Sequence, residues 1–448
     1  MHNDCLPSPG ARRYPWSFAD VNAARLSLHT GARKPPGSAA RLPGGAFGRW
    51  LLWPMGGALP TLGKSVILAA GIAALAAGTA GAWAQGTELA EKLTPAQLAT
   101  YEAYRTARDK FDRQLRYYWR RVEAKRDARR AKRMLGQDYE PQDYIAQQPP
   151  KYPGPELPGD IAKLVAQAAP PTPEPPMATV ADFLETAKAQ YGFVPALTSE
   201  REFKRRYAQE ALAVGLKKDQ VVRIYALETG GQGTYDMQSG VNPITKQGRP
   251  ISSALGYAQL LHANSTGELV KHGELFAQRL LAMAAAPGTP PDRARALTGK
   301  ATIVRRMLKA ARSIPNEWSH HVRFAGTPAG LGIHALNLDA EVGPWLQVLK
   351  LKGLKDAAAA AGRADLAGGE IELMNLAGPR TGLEMLLAVA QDMPTSNFFS
   401  AGGYYRNTIV RDKTAAELLK ALNDRMEANL KKPGAIEFAQ IFDEVTRR

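Results

Sequence analysis

Glu228 is the residue whose position in the sequence most readily suggests chemistry. It ends the stretch KKDQVVRIYALE, residues 217–228, and a Thr-Gly-Gly break follows it. Three apolar residues at helical spacing lie on the same face as Glu228, namely Val221, Ile224 and Tyr225. This spacing predicts that the carboxyl group of Glu228 points toward the face of the helix that packs.

A carboxyl group on a packing face loses hydration, which raises its pKa and keeps it protonated near neutral pH. Such an acid donates a proton to a leaving oxygen. The glycines that follow end the helix and let a ligand approach the backbone. The alternative is that Glu228 turns outward at a frayed helix end. Asp236, the acid close by in the sequence, is interpreted as a loop carboxylate; if it flanked the scissile bond, ordinary hydrolysis would follow.

Four short stretches carry the strongest pattern in the chain. They are GLKKDQVVRIYALET (215–229), SALGYAQLL (253–261), MNLAGPR (374–380) and GGYYRNTIV (402–410). In this order they resemble four motifs of the lytic transglycosylase family: a helix ending in Glu-Ser, Gly-Leu-Met-Gln, Tyr-Asn-Ala-Gly-Pro and Tyr-Val-x-Asn-Val. The family's SLT domain has a goose-lysozyme-like fold, so the resemblance implies a lysozyme-like helical domain.

The resemblance also implies an activity and a set of site residues. The reaction would be cleavage of the β-1,4 bond between N-acetylmuramic acid and N-acetylglucosamine in peptidoglycan, with a 1,6-anhydro product and no cofactor or metal. Glu228 would be the single catalytic acid and base. Substrate-binding roles would fall to Thr229, Gly256, Tyr257, Gln259, Asn375 and Tyr404. Within this set Asn375 would bind the acetamide and Tyr404 would orient Glu228. The alternatives are a helix-end asparagine and a core tyrosine.

Departures from the family pattern keep other functions open. Thr229 replaces Ser, Ala258 replaces Met, Leu376 is an extra residue, and residues 312–368 have no obvious counterpart in compact members. One alternative is therefore a non-catalytic peptidoglycan-binding or envelope scaffold protein. Another makes the long basic helix the main functional element, so that deleting residues 88–135 costs localisation but not activity.

The region before the motifs predicts export. Residues 64–85 combine a lysine, an apolar run and an Ala-Trp-Ala end typical of a cleaved signal peptide, and a start at Met55 gives a normal length. Residues 55–84 are therefore predicted to be a signal peptide, and residues 1–54 a disordered leader or a misplaced start. The alternative is an uncleaved membrane anchor. The only cysteine, Cys5, falls in the leader, so the predicted periplasmic chain has no disulfide or thiolate site.

The remaining chain is predicted to be mainly α. Residues 85–135 contain one long basic amphipathic helix, residues 136–178 a Pro-rich linker with a short helix at 160–169, and residues 179–448 the catalytic domain. The predicted helices of that domain are 180–190, 199–213, 217–228, 254–262, 266–285, 298–313, 335–361, 369–391 and 413–430.

The net charge of +16 indicates an anionic partner or solvated basic surfaces. The helix at 94–135 has a basic face that fits nucleic acid, anionic lipid, a cell-wall polymer or an envelope protein partner; the simpler interpretation is a solvated face. Export argues against nucleic acid. His320, His321 and His334 lack the spacing of metal ligands.

Overall fold

The computed structural model describes residues 92–168 and 176–447, and this part of the chain is mainly helical with isolated β-bridges in place of strands. Its first helices are α1 (Pro95–Met134), α2 (Gly159–Ala168), α3 (Val180–Tyr191), α4 (Glu200–Ala213) and α5 (Lys218–Thr229). The prediction of a mainly α fold is confirmed. The predicted leader 1–54 and signal peptide 55–84 lie outside the described residues.

Ten further helices follow within residues 176–447. They are α6 (His262–Ala285), α7 (Pro291–Ala311), α8 (Trp318–Ala325), α9 (Pro328–His334), α10 (Val342–Ala360), α11 (Gly368–Ala377), α12 (Pro379–Met385), α13 (Ala401–Arg406), α14 (Ala415–Leu430) and α15 (Pro433–Thr446). Short 3-10 turns connect some of them, at Pro141–Asp143, Ala335–Leu338, Ala388–Ala390 and Thr395–Asn397. Across the ranges described above, none of the helices has the length and apolarity that crossing a bilayer requires.

Helix α1 begins at a capping box, as the sequence predicts: the Gln97 amide N donates to Thr94 Oγ1 at 3.3 Å, and the Thr94 amide N donates to Gln97 Oε1 at 3.0 Å. Its buried residues are Phe111, Leu115, Tyr118, Trp119, Val122 and Arg129. The apolar ones belong to the same hydrophobic core as the helices of the predicted catalytic domain. Helix α1 is thus a packed part of the compact unit that ends at the C-terminus.

The prediction of a Pro-rich linker at 136–178 is wrong for its first half. Tyr144 and Ile145 are buried in the main core. Asn397 fixes the segment because its Nδ2 donates to the Ile145 carbonyl at 2.8 Å and its Oδ1 accepts from the Ile145 amide at 2.8 Å. Residues 139–152 therefore form a strap between α1 and the rest of the domain. The short helix predicted at 160–169 appears as α2.

Several predicted helix boundaries also change. Residues 254–261 form a tight turn instead of a helix, with a β-bridge between Leu255 and Leu260. The helix predicted at 335–361 starts only at Val342, and the one predicted at 369–391 breaks at Gly378 and ends at Met385. Helices α8, α9, α13 and α15 have no counterpart among the predicted helices. A glycine with positive φ or a proline at a helix start accounts for the turn and for the break.

The position of α5 matters most for the site. Most of its residues are buried, and it contacts α11, α14, α15 and α4. Helix α11 in turn contacts α10 and α12. The end of α5 therefore lies beside side chains of α11 that are distant in the sequence.

Candidate active site

Glu228 lies in the last turn of α5, and its side chain is half-buried. The helix ends at Gly230, which has a φ of 66°, and the chain continues through Gly231, which has a φ of 72°. A Cβ atom at Gly231 would overlap the backbone carbonyl of Asn429 in α14. Asn429 also donates from Nδ2 to the Ala226 carbonyl at 2.9 Å. The glycines let the chain turn closely against α14, which fixes the helix end that carries Glu228.

Two side chains of α11 meet Glu228. Asn375 Nδ2 lies 3.4 Å from Glu228 Oε1 and 3.4 Å from Glu372 Oε2, so one amide donates to both acids. The two carboxyl groups are also hydrogen-bonded to each other. Glu372 and Asn375 are one helical turn apart and share a face. The structure therefore places Glu228, Glu372 and Asn375 in one cluster.

Burial controls the protonation of this cluster. Loss of hydration raises the pKa of Glu228 to about 7, against the hydrogen bonds from Glu372 and Asn375 and the charge of Arg425, which lower it. The pKa of Glu372 is raised well above its usual range, first by burial and then by the charge of Glu228. Because the two groups titrate together, the pair holds at least one proton at neutral pH. Such a pair can donate a proton to a leaving oxygen.

Two cations act on the pair from other helices. Lys350 of α10 is half-buried, and burial lowers its pKa while the charges of Glu268 and Glu372 oppose that shift. Arg425 of α14 is exposed, and its charge acts on Glu228. Each carboxyl group thus has a positive charge within Coulombic reach.

The turn that contains Gly256 and Gln259 joins the segment after Glu228 to α10. Gly256 donates from its amide to the Met237 carbonyl at 3.0 Å, and Gln259 Nε2 donates to the same oxygen at 3.1 Å. Gln347 of α10 accepts from the Ala258 amide at 3.0 Å. Since Gln347 is one helical turn before Lys350, the turn lies against the helix that carries the cation of the cluster.

Two predicted substrate contacts, Tyr257 and Thr229, need correction because their side chains lie in the core. Tyr257 is 1% exposed, bonds Glu200 through its hydroxyl, and packs among aromatic rings. Thr229 is buried and donates from Oγ1 to the Tyr225 carbonyl at 2.6 Å. These contacts hold α5 and the turn in place and leave neither side chain free to bind a sugar.

Tyr404 also lies in the core, on the side that faces α1. It is 1% exposed, its ring centroid is 5.6 Å from that of Trp119, and its hydroxyl accepts from the Asp412 amide at 2.9 Å. Its contacts are thus with residues other than Glu228, which corrects the role of orienting the catalytic acid. The alternative reading, a core tyrosine, describes its surroundings.

Asp236 and the histidines have ordinary surroundings. Asp236 forms a surface ion pair with Lys246 at 3.0 Å. His334 is fully buried, and burial lowers its pKa to about 3, so it is neutral. Within residues 92–168 and 176–447, the acids, histidines and cysteines form no group of three with the geometry of a metal site.

Glu372 is the site residue that motif reasoning missed. It lies in EIELMN, three positions before Asn375, where an acid would share a helical face with the motif asparagine. That spacing is a signal that the sequence did contain. Lys350 carried no such signal, because its proximity to Glu372 comes from the packing of α10 against α11.

Two surface cavities of about 320 and 310 Å³ lie outside this cluster, the first beside Arg293 and Lys300 and the second between α12 and α14. Neither is lined by Glu228. The cluster is distinguished by its two neighbouring acids and the amide that they share. Comparisons of the chain with protein-family models, with curated proteins and with solved structures give no match.

Proposed function

We propose that this chain is an exported peptidoglycan lytic transglycosylase with a divergent lysozyme-like catalytic domain. The observation that supports the proposal best is the environment of Glu228, a half-buried carboxyl group with a pKa near 7. Asn375, the asparagine of the third resembling stretch, donates to that carboxyl group. An acid and an amide donor at one point fit proton donation to a sugar beside its acetamide group.

In the proposed reaction Glu228 acts twice. Protonated Glu228 gives its proton to the glycosidic oxygen while the bond to the anomeric carbon of the muramic acid breaks, and the acetamide oxygen supports the charge. The resulting carboxylate then takes the proton of the 6-hydroxyl. The 6-oxygen bonds to the anomeric carbon, which yields the 1,6-anhydro sugar and restores the acid. No water is consumed.

The contact between the two acids favours this route over two-carboxylate hydrolysis. Acids that flank a scissile bond are separated by about 5–5.5 Å in retaining glycosidases and about 6.5–9.5 Å in inverting ones. Here Glu372 is hydrogen-bonded to Glu228 and shares the Asn375 amide with it. The Asn375 amide lies within 3.4 Å of both acids and occupies the place that a sugar ring would need between them, so the proposed reaction gives Glu372 no role as the opposite carboxylate.

The proposal includes the partners and location of the protein. The substrate is the glycan strand of peptidoglycan, bound by Asn375 and by the turn at Gly256 and Gln259. The predicted signal peptide exports the chain to the periplasm. The outward face of α1 keeps four exposed arginines as a surface for an envelope partner, namely Arg113, Arg116, Arg120 and Arg121.

Digestion of isolated sacculi tests the activity. Residues 85–448 should release muropeptides with anhydro ends, which mass spectrometry identifies by their missing water. Glu228→Gln should lower the release by about 10²-fold or more. Asp236→Asn is the matched control, because this nearby acid lies in a surface ion pair. Full activity of Glu228→Gln would overturn the proposal.

A non-catalytic peptidoglycan-binding protein is the second candidate. It is favoured by the core positions of Thr229, Tyr257 and Tyr404, because three residues that the resemblance would place around the catalytic acid are then missing from the site. The same preparation distinguishes the two. Binding to sacculi without release of anhydro products, unchanged by Glu228→Gln, would support the second candidate.

A further inference from the structure

Glu372 is a buried acid for which the proposed reaction has no role so far. Glu372 is 3% exposed and lies in the middle of α11. Burying a carboxyl group is costly unless hydrogen bonds compensate it, and a leucine at this position would be cheaper. The contacts of Glu372 are with Asn375 and Glu228. The hydrogen bonds of this buried acid involve the proposed catalytic acid, which indicates that Glu372 takes part in the chemistry of Glu228.

Resting on the proposed function, we propose that Glu372 is a positioning residue that shares a proton with Glu228 through the hydrogen bond between their carboxyl groups. When Glu228 has given its proton to the glycosidic oxygen, the O–H group of Glu372 donates to the new carboxylate. Glu228 next takes the proton of the 6-hydroxyl. Glu372 keeps its O–H bond throughout and shares its proton only by donating this hydrogen bond, so the pair returns to its starting state.

The arrangement gives Glu372 two effects on Glu228. The hydrogen bond holds the Glu228 carboxyl group toward α11, where the Asn375 amide contacts both acids at 3.4 Å. It also stabilises the carboxylate that exists between the two proton transfers. A single buried glutamate would lack this second effect, because burial alone disfavours its charged form.

The charged groups around the pair come from three other helices. Lys350 of α10 acts on Glu372, and Arg425 of α14 acts on Glu228. Glu268 of α6 acts on Lys350 and partly offsets its charge. The protonated state of Glu372 is thus favoured by burial and by Glu228, while Lys350 opposes it.

Carboxyl titration tests proton sharing without reference to activity. Carbon-13 NMR of glutamate side chains in residues 85–448 should show two coupled carboxyl groups, one of which keeps its proton after the other has lost its own. In Glu372→Gln the remaining group should titrate alone with a simple one-proton curve. If Glu228 titrates with the same curve in both proteins, the proposal is wrong.

Kinetics then test the positioning role. Glu372→Gln keeps an N–H donor for the carboxylate, so kcat on sacculi should fall about 10-fold with KM within 3-fold. Glu372→Met lacks a donor, so kcat should fall about 100-fold, and the basic limb of the pH profile should move to higher pH. Wild-type kcat and pH profile in both variants would overturn the positioning role.

Two comparisons keep the outcomes separate. Glu370→Gln is the matched control, because Glu370 lies on the same helix, bonds Arg363, and Gln preserves its capping hydrogen bond. It should leave kcat and the titration unchanged. Full activity of Glu228→Gln would end the proposed function, yet the titration would still decide whether the two acids share a proton.

Discussion

At the scale of single residues, the contact between Glu228 and Glu372 is the most informative feature of the molecule. The spacing of apolar residues on α5 predicts that Glu228 faces inward, and its carboxyl group is half-buried. Its neighbours come from α11 and α14, far along the chain. Ionising both neighbouring acids is unfavourable, because their negative charges repel each other. The free energy of unfolding should therefore depend on the protonation of this pair.

Replacing Glu372 by Gln should change the pH dependence of the free energy of unfolding. The folded pKa of Glu372 lies above its unfolded value of about 4.5. The stability linked to this group is therefore fully present below about pH 4.5 and is lost as pH rises through the folded pKa. Glu372→Gln removes that loss, so its stability relative to wild type should be higher at pH 9 than at pH 5.

Urea unfolding at the two pH values measures this difference. Glu274→Gln supplies a control without such a change between pH 5 and pH 9, because the hydrogen bond from Arg305 lowers the pKa of this surface acid below its unfolded value. Its linked stability is present above the unfolded pKa and is lost on acidification. An equal change in stability for Glu372→Gln at both pH values would contradict the coupling of the two acids.

The residues also show how far the sequence could lead. The motifs indicate Glu228 and Asn375, and the structure places Asn375 Nδ2 3.4 Å from Glu228 Oε1. Tyr257 and Tyr404 were selected in the same way and are core residues. The sequence does not distinguish a tyrosine that lines a cleft from a tyrosine in the core, because the packing of the folded chain determines where the side chain lies. The type and spacing of polar groups were therefore better guides than aromatic residues.

At the scale of elements, the segment after Glu228 departs most from its prediction. Leu255, Tyr257 and Leu260 are apolar at spacings that a short helix also uses. The segment turns instead because Gly256 has a φ of 80° and its amide donates to the Met237 carbonyl. Helix α5 was predicted well because its apolar pattern is long and its glycine stop is local. The turn depends on Gln347, which the local sequence does not reveal.

Gly256→Ala should therefore destabilise the fold more than a matched glycine substitution elsewhere. An added Cβ atom would overlap the Gln347 amide, and the backbone would keep a positive φ. We expect a loss of about 2–4 kcal/mol from steric overlap and backbone strain together.

Gly288→Ala is the matched control for this prediction. Gly288 has a φ of 82°, and a Cβ atom there would meet open space, so only the backbone cost of about 1–2 kcal/mol remains. Urea unfolding of both variants gives the comparison. Equal losses would mean that Gln347 yields easily and does not hold the turn.

At the scale of the whole molecule, α1 is the element whose role changes. Its basic residues predicted a separate surface helix, and Arg129 is instead among the most buried side chains of the protein. Arg129 donates to Glu384 at 2.7 Å, to the Asp143 carbonyl at 2.9 Å and to the Asn397 carbonyl at 2.8 Å. Sequence composition could not separate such an inward arginine from the exposed ones. The basic residues of α1 thus include both exposed side chains and a buried side chain, Arg129, that contributes to packing.

The expectation that deleting residues 88–135 spares activity assumes that this helix is separate from the domain. Because α1 packs into the core, we now expect the deletion to disrupt the domain. Trp119 is 8% exposed and fits against Tyr404 and Tyr405. Trp119→Ala should therefore lower the stability of the whole unit by about 3–5 kcal/mol in one cooperative transition. Arg120→Ala changes the exposed neighbour and should stay within about 0.5 kcal/mol of wild type.

Calorimetry and limited proteolysis distinguish an integral α1 from an appended one. If α1 belongs to the same folding unit, Trp119→Ala lowers the temperature of a single transition and exposes sites in the strap and in α13 together. If the rest of the domain is autonomous, a low-temperature transition for α1 separates, and the main one stays unchanged. The first result requires that α1 remain with the acid pair in any active fragment, because removing α1 uncovers the core that Tyr404 shares with it.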